Sequence, residues 1–525
     1  MASTGGTERK KGSGRAMAFT GGTAERTKGE QGFVLAVTGL MLVPLIIFTA
    51  FAVDLGAWYG QAAKMQRAAD AASLAGVVQL PDKANAVAAA QATLARNGFA
   101  YTCVTAPATG PCVVDYPSGA GQQMSVTIAK SASQYFSKIV LSSENLTRHA
   151  TAVYNLKIPL GSPSNVFGND PSRTGAQPNL WAAINGPYSN HADGDPYSPK
   201  CANTPASATT CDSSGANSTY RTTGYMWAVD VPASAVGAPI TVSIYDPSLG
   251  PNSALNESVT NAGFSTSYQI FNTTGSSASI NTLNSNGMNT LGLCSTGPGY
   301  KVFASGDTTG QNAWWTLCTF TPTIAGIYPV QVKSSAIPTV IPDSGGGWNA
   351  YSLRATRASG TQPSTYALDD LSIWTPTPSS NARFYLANIG AQYAGHTLQI
   401  DLYDPGDGNS GNYFMTFHPP PAGVPAIVPT ATTTTACNYS PPTAALGGAT
   451  TLNSSTCTIQ TRNSSASPAN IYNNNWLRVQ ITIPTTYACT TDCWWSIEYN
   501  FGTGTPTDRT VWVVNVLGDP VHLTN

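Results

Sequence analysis

Charge is what this sequence has least of: 25 Lys and Arg and 26 Asp and Glu are spread over 525 residues, for a net charge of -1. So little Lys and Glu argues against long solvated helices over most of the chain. Nucleic-acid-binding domains cluster their Lys and Arg, and no such cluster occurs beyond the first 32 residues; no nucleic-acid partner is expected. Catalytic signatures are equally scarce. There is no GxSxG elbow, no HExxH pair, no GxxxxGK[ST] phosphate loop and no CxxC pair, which removes the common routes to nucleophilic, metal-assisted and phosphoryl chemistry. The 5 histidines, His149, His191, His396, His418 and His522, are scattered singly. The chain reads as a non-enzyme with no obligate cofactor.

What is present begins with one apolar run. Residues 33–53 are 21 positions without a charge, and about 20 apolar residues suffice for a helix to cross a hydrocarbon layer. The 32 residues before it carry Arg9, Lys10, Lys11, Arg15, Arg26 and Lys28 against three acidic side chains, an asymmetry that holds a flank in the cytoplasm. A cleaved signal peptide has an apolar core of about 7–15 residues. The run is longer, so it reads as an uncleaved single-pass anchor in the cell membrane. Residues 1–32 are then a cytoplasmic tail, and everything past Asp54 is extracytoplasmic or at the cell surface.

The helix is expected to continue to Leu80, ahead of Pro81. Leu55, Trp58, Ala62, Met65, Ala69, Ala72 and Gly76 recur at alternating steps of three and four and share one face. Gly56 with Gly60, and Ala68 with Ala72 and Gly76, set small residues four apart, which admits another helix closely. Two readings stand for this face: packing within its own domain, or assembly against other subunits or further copies of the chain. A second Ala-rich helix is expected over 82–96, closed by Asn97-Gly98. Strands over 124–129 and 150–156 follow, with a short helix over 133–141 between them.

The run GEQGFVLAVTGLMLVPLIIFTAFAVDLGAWYGQAAKMQRAADAASLAG resembles the N-terminal region of TadE/TadG-like Flp (tight-adherence) pilus-assembly proteins. The shared pattern is an apolar span, then VDLG, an aromatic, and a Gln/Ala-rich helix ending in AADAAALAG. Here Val53, Asp54, Leu55, Gly56, Tyr59, Gln66, Ala68, Ala69, Asp70, Ala71, Ala72, Leu74, Ala75 and Gly76 carry it. The resemblance implies a helical, pilin-like stalk domain over 54–160. It also implies an accessory or structural role in a tight-adherence pilus or a related secretion or adhesion system, beside other subunits of that system. Val37 stands where prepilin-type processing needs Glu, so processing is not expected. A von Willebrand A metal motif fails at its last residue in both 170–174 and 212–216, so that domain is not expected either.

From about residue 160 the pattern becomes short alternating strands between Gly, Pro, Asn and Ser clusters. Residues 237–247 align without gaps on 395–405, each ending in an Asp-Pro turn. Cys294 and Cys318 match Cys437 and Cys457 in order, 327–332 matches 476–481, 348–353 matches 495–500, and 370–374 matches 508–512. The expected fold is therefore α+β: a transmembrane helix continuing into the stalk domain, then two tandem β-sandwich domains related by duplication, 161–378 and 379–525.

Three further expectations concern sites. The 10 cysteines pair by proximity as Cys103 with Cys112, Cys201 with Cys211, Cys294 with Cys318, Cys437 with Cys457, and Cys489 with Cys493, in a compartment where disulfides persist. Asp401, Asp404, Asp407 and Asn409, in DLYDPGDGN, offer hard oxygens to Ca²⁺, or are turn residues bonding their own backbone; Asp193 and Asp195 face the same two readings. Trp348, Trp374, Trp495 and Trp512 recur in apolar strands and read as core. The unrepeated Trp315 and Trp494 are the candidates for an exposed, sugar-stacking face, which makes a carbohydrate- or cell-surface-binding module on a membrane tether the alternative function.

Overall fold

The computed structural model of the chain describes residues 28–79, 83–117, 123–139, 144–154, 158–186, 189–201, 215–249, 265–272, 287–304, 306–334, 347–375, 382–406, 411–420, 428, 434–440, 452–465, 472–502, 504, 509–517 and 521–524. The chain forms two compact units, Met1–Arg67 with Ile128–Arg148, and Ala68–Thr127 with His149–Asn525.

In the first unit the dominant element is helix α1, Lys28–Val77. Over 33–53 its side chains are exposed all round except at Ala50, which is half-buried. A helix apolar on every side and covered on none is suited to lipid rather than water. Pro44 sits inside it, a residue that membrane helices tolerate. Past Asp54 the Ala-rich sequence favours the helix without a break.

In the second unit α1 ends at Val77 and helix α2 spans Lys83–Arg96. Gly98, at φ +87°, closes α2, and the Phe99 N–H returns to the Leu94 carbonyl at 2.9 Å. Gly76 marks a tight approach, because a Cβ there would collide with the Met124 side chain and the Ala86 carbonyl. A five-stranded sheet runs in the order Val104–Thr105, Cys112–Asp115, Gln123–Ser131, Asn145–Tyr154, Val521–Thr524. Of the helix expected over 133–141, the described residues 133–139 hold a single 3₁₀ turn, Ser137–Ile139. The last strand is a correction to the division at residue 379. Val521–Thr524 pairs antiparallel with Thr151–Tyr154, so the final strand belongs to the sheet of the helical region.

The β region beyond Leu160 contains two smaller sheets and one of eleven strands. The large sheet runs Trp314–Phe320, Ile240–Tyr245, Trp348–Thr356, Trp181–Asn185, Asp370–Trp374, Arg509–Leu517, Thr397–Tyr403, Trp476–Thr482, Cys437–Tyr439, Leu452–Ser454, with Val166–Phe167 paired beside Trp348–Thr356. It is continuous across the expected domain boundary, because Asp370–Trp374 ladders onto residues 509–513. One hydrophobic core runs through both halves, from Phe167 and Trp227 to Trp495 and Trp512.

The gapless match of 237–247 with 395–405 has a structural counterpart. Ile240–Tyr245 lies between Trp314–Phe320 and Trp348–Thr356; Thr397–Tyr403 lies between Trp476–Thr482 and Arg509–Leu517. Tyr245 faces Trp314 as Tyr403 faces Trp476. The turns that follow put Asp246 and Asp404 at φ +49° and +57°, opposite Asn312 and Asn474 at +52° and +54°. The later matches are out of step. Residues 327–332 belong to a strand paired with Tyr225–Val231 in a smaller sheet, whereas 476–481 lie in the large one. Apolar alternation is common to every half-buried strand, so it aligned the wrong pair. The cysteines are not equivalent either: Cys318 lies within Trp314–Phe320, while Cys457 lies just before Thr458–Asn463. Disulfides join Cys103–Cys112, Cys294–Cys318, Cys437–Cys457 and Cys489–Cys493. Cys201 is disulfide-bonded, and Cys211 lies outside the described residues.

Candidate functional site

Asp54, the first residue beyond the apolar run, is 1% exposed. Its carboxylate accepts three consecutive backbone N–H groups, from Tyr135 at 2.9 Å, Phe136 at 3.0 Å and Ser137 at 2.5 Å. Successive N–H groups turned to one point make an anion-binding nest, and here the anion is the protein's own side chain. Burial alone would raise this carboxyl; the hydrogen bonds from Ser137, Tyr135 and Phe136 outweigh it and hold it down to about 2. One turn on, Trp58 Nε1 donates to the Ser133 carbonyl at 2.8 Å. Gln61 donates to the Ser131 carbonyl at 2.8 Å and accepts from the Ser133 N–H at 2.9 Å. Residues 54, 58 and 61 follow steps of four and three, so one stripe of α1 clamps the segment 131–137 over its whole length.

This clamp is built on the VDLG-to-Gln segment of α1. Residues 32–95 match the family model for putative Flp pilus-assembly TadE/G-like proteins. The TadE/G-like segment thus covers the apolar run, the clamping stripe and nearly all of α2. No curated protein and no solved structure matches the chain.

The expected assembly face of the TadE/G-like segment divides into two parts. Ala62, Met65, Ala69, Ala72 and Gly76 are buried within the chain, and Trp58 is taken up by the clamp. Leu55, Gly56 and Gly60 are exposed, and a Cβ at either glycine meets nothing within 4 Å. The face thus packs within the chain at its C-terminal end and is open surface near the apolar run.

Elsewhere Asp401 and Asp404 of the acidic cluster are engaged within the chain. Arg478 donates to Asp401 through Nε and Nη2, at 2.7 and 3.1 Å, and Gln399 adds a donor at 3.1 Å. Asp404 accepts from the Asn474 N–H at 2.6 Å. Asp407 and Asn409 lie outside the described residues, and among the described residues no group of three His, Cys, Asp or Glu is placed to hold a metal ion. Asp193 approaches Arg509, and Asp195 is buried and caps the Tyr197 N–H at 2.9 Å.

The aromatic expectation needs correction. Trp494 is 4% exposed, packed with Met226, Ala228, Tyr366, Leu368 and Tyr385 in a second core cluster. Trp315 is half-buried with its ring edge-on to Phe303 at 5.1 Å. Trp494 is covered mainly by residues of the other half of the β region, a contact that its own strand's sequence does not reveal. Trp348, Trp374, Trp495 and Trp512 are buried.

Sequence reasoning missed a polar seam in the β region. Arg221 pairs with the fully buried Asp370 and stacks on Tyr197 at 3.6 Å. His191 Nδ1 lies 2.7 Å from the Tyr403 hydroxyl, which in turn donates to Asn474. The adjoining cavity, lined by Asp195, Tyr220, Arg221 and Tyr225, has room for about one water molecule. The seam joins segments far apart in sequence.

Proposed function

We propose that this protein is a membrane-anchored structural or accessory subunit of a tight-adherence (Flp-type) pilus or a related secretion or adhesion system. The supporting observation is the TadE/G-like segment at 32–95, which contains an uncovered apolar run and, directly after it, the Asp54 clamp. In this reading residues 33–53 cross the membrane, 1–32 are cytoplasmic, and the β region is presented on the far side. The open patch of Leu55, Gly56 and Gly60 is the contact for another subunit's helix or a second copy. The matching strand environments of Ile240–Tyr245 and Thr397–Tyr403, with their paired left-handed Asp and Asn residues, favour descent of the two β halves from one duplicated unit. No reaction is assigned to the chain.

The test is photocrosslinking in the native cell from Leu55, Gly56 and Gly60, with Tyr300 in the β region as comparison. Capture of pilus-assembly or secretion subunits from the first three positions, and loss of piliation, secretion or adhesion on deletion of the gene, is expected. All three activities persisting without the gene would overturn the reading.

A further inference from the structure

The loop fixed by Asp54 carries two large rings that the chain leaves open. Tyr135 is 63% exposed and Phe136 50% exposed, although the backbone N–H of each is fastened to the Asp54 carboxylate. An ordered turn that shows both of its aromatic side chains to solvent is costly in water.

Its height along α1 says what covers it. A helical side chain leans toward the helix N-terminus and covers the turn before its own Cα. The Asp54 carboxylate therefore lies beside the last turn of the apolar run, and it draws the loop to that level. Ala50 agrees, being the one half-buried residue of 33–53. Tyr135 and Phe136 are thus level with Phe51 and Val53, themselves 46% and 49% exposed, where the apolar run gives way to the first charge. Aromatic rings are favoured at the boundary of headgroups and acyl chains. The exposed Lys138 stands two residues past Phe136, a cation suited to anionic headgroups.

We propose that the loop 133–138 is a second membrane contact, with Tyr135 and Phe136 inserted at the headgroup–acyl boundary of the leaflet from which α1 emerges. This rests on the reading of residues 33–53 as a membrane span. A lone helix is free to rotate about its axis, whereas a helix with a side anchor is not. At 3.6 residues per turn, Gly56 and Gly60 fall on the side of α1 opposite Asp54. Anchoring the loop therefore aims the open glycines in a fixed direction within the membrane plane.

The full chain, in vesicles of phosphatidylcholine with a minority of phosphatidylglycerol, is spin-labelled singly at Tyr135→Cys, Phe136→Cys, Val43→Cys or Thr147→Cys; no described cysteine is free to compete. Power saturation compares dissolved oxygen with a water-soluble nickel chelate. Labels at 43, 135 and 136 are expected to favour oxygen and the label at 147 nickel, a change of sign in the depth parameter. In an Asp54→Asn background, the label at 136 is expected to turn to nickel. Nickel access at 135 and 136 with oxygen preference kept at 43 overturns the proposal and leaves the span intact. Nickel access at 43 overturns the span and the proposal together. Labels at 135 and 136 immobilised and shielded from both reagents would show a protein partner there and overturn the lipid contact.

Discussion

The His191 ring, 5% exposed, sits on the 3₁₀ turn His191–Asp193 and meets Tyr403 across the seam. Since the Tyr403 hydroxyl donates to Asn474, it accepts from His191, whose Nδ1 carries the proton. Burial pushes this ring below the ordinary imidazole range, against the opposing pulls of Asn474 and Asp193. The unfolded chain therefore takes up a proton near pH 6.5 that the folded seam still refuses. Stability then falls as pH drops through that region. Thermal unfolding of the β region, followed from pH 8 to pH 5, is expected to show this decline, and His191→Gln to flatten it. Little of this was legible beforehand. Asp54 was visible as the charge that ends an apolar run, but its three N–H partners lie more than 80 residues away. His191 was visible only as a scattered histidine, because a side chain's partners across a sheet are set by topology and not by neighbours in sequence.

At the scale of elements, α1 offers a contrast among three glycines in one helix. Gly56 and Gly60 have open space where a Cβ would go, and Gly76 has Met124 and Ala86. Gly56→Ala and Gly60→Ala are expected to stabilise the isolated chain by about 0.5–1 kcal/mol each through helix propensity. Gly76→Ala is expected to cost about 1–3 kcal/mol through overpacking. Denaturant titration of the detergent-solubilised chain measures both. Gly56→Leu and Gly60→Leu are expected to leave folding intact while abolishing crosslinks to other subunits. The periodicity of this face was plain in sequence, and so were its helix ends to within a few residues. Which part of the face is covered was not, since Met65 and Leu55 belong to the same stripe and only the fold separates them.

At the scale of the molecule, the eleven-stranded sheet decides how the β region unfolds. Asp370–Trp374 is bonded on one edge to Arg509–Leu517 and on the other to Trp181–Asn185. The halves thus share a ladder, a core and the His191–Tyr403 hydrogen bond, and Arg221 holds the buried Asp370 of the shared strand. Two tandem sandwiches on a linker would melt in two steps, and this arrangement is expected to melt in one. Calorimetry of the full chain checks this, and Arg221→Met is expected to lower the whole transition by about 3–5 kcal/mol, the cost of leaving a buried carboxylate alone. The likeness of 237–247 to 395–405 was legible where local backbone chemistry is alike, at Asp246 and Asp404, whose left-handed turns suit short polar side chains. It failed at 327–332 and 476–481, where the shared signal was only alternation.

The pairing of Val521–Thr524 with Thr151–Tyr154 has a meaning in time. A ribosome that has made Asn145–Tyr154 must add more than 360 further residues before the strand that pairs with it exists. Until then the free edge of Asn145–Tyr154 can template the wrong partner. Loop closure over such a distance is slow, so the sheet stays unfinished until synthesis has passed residue 521.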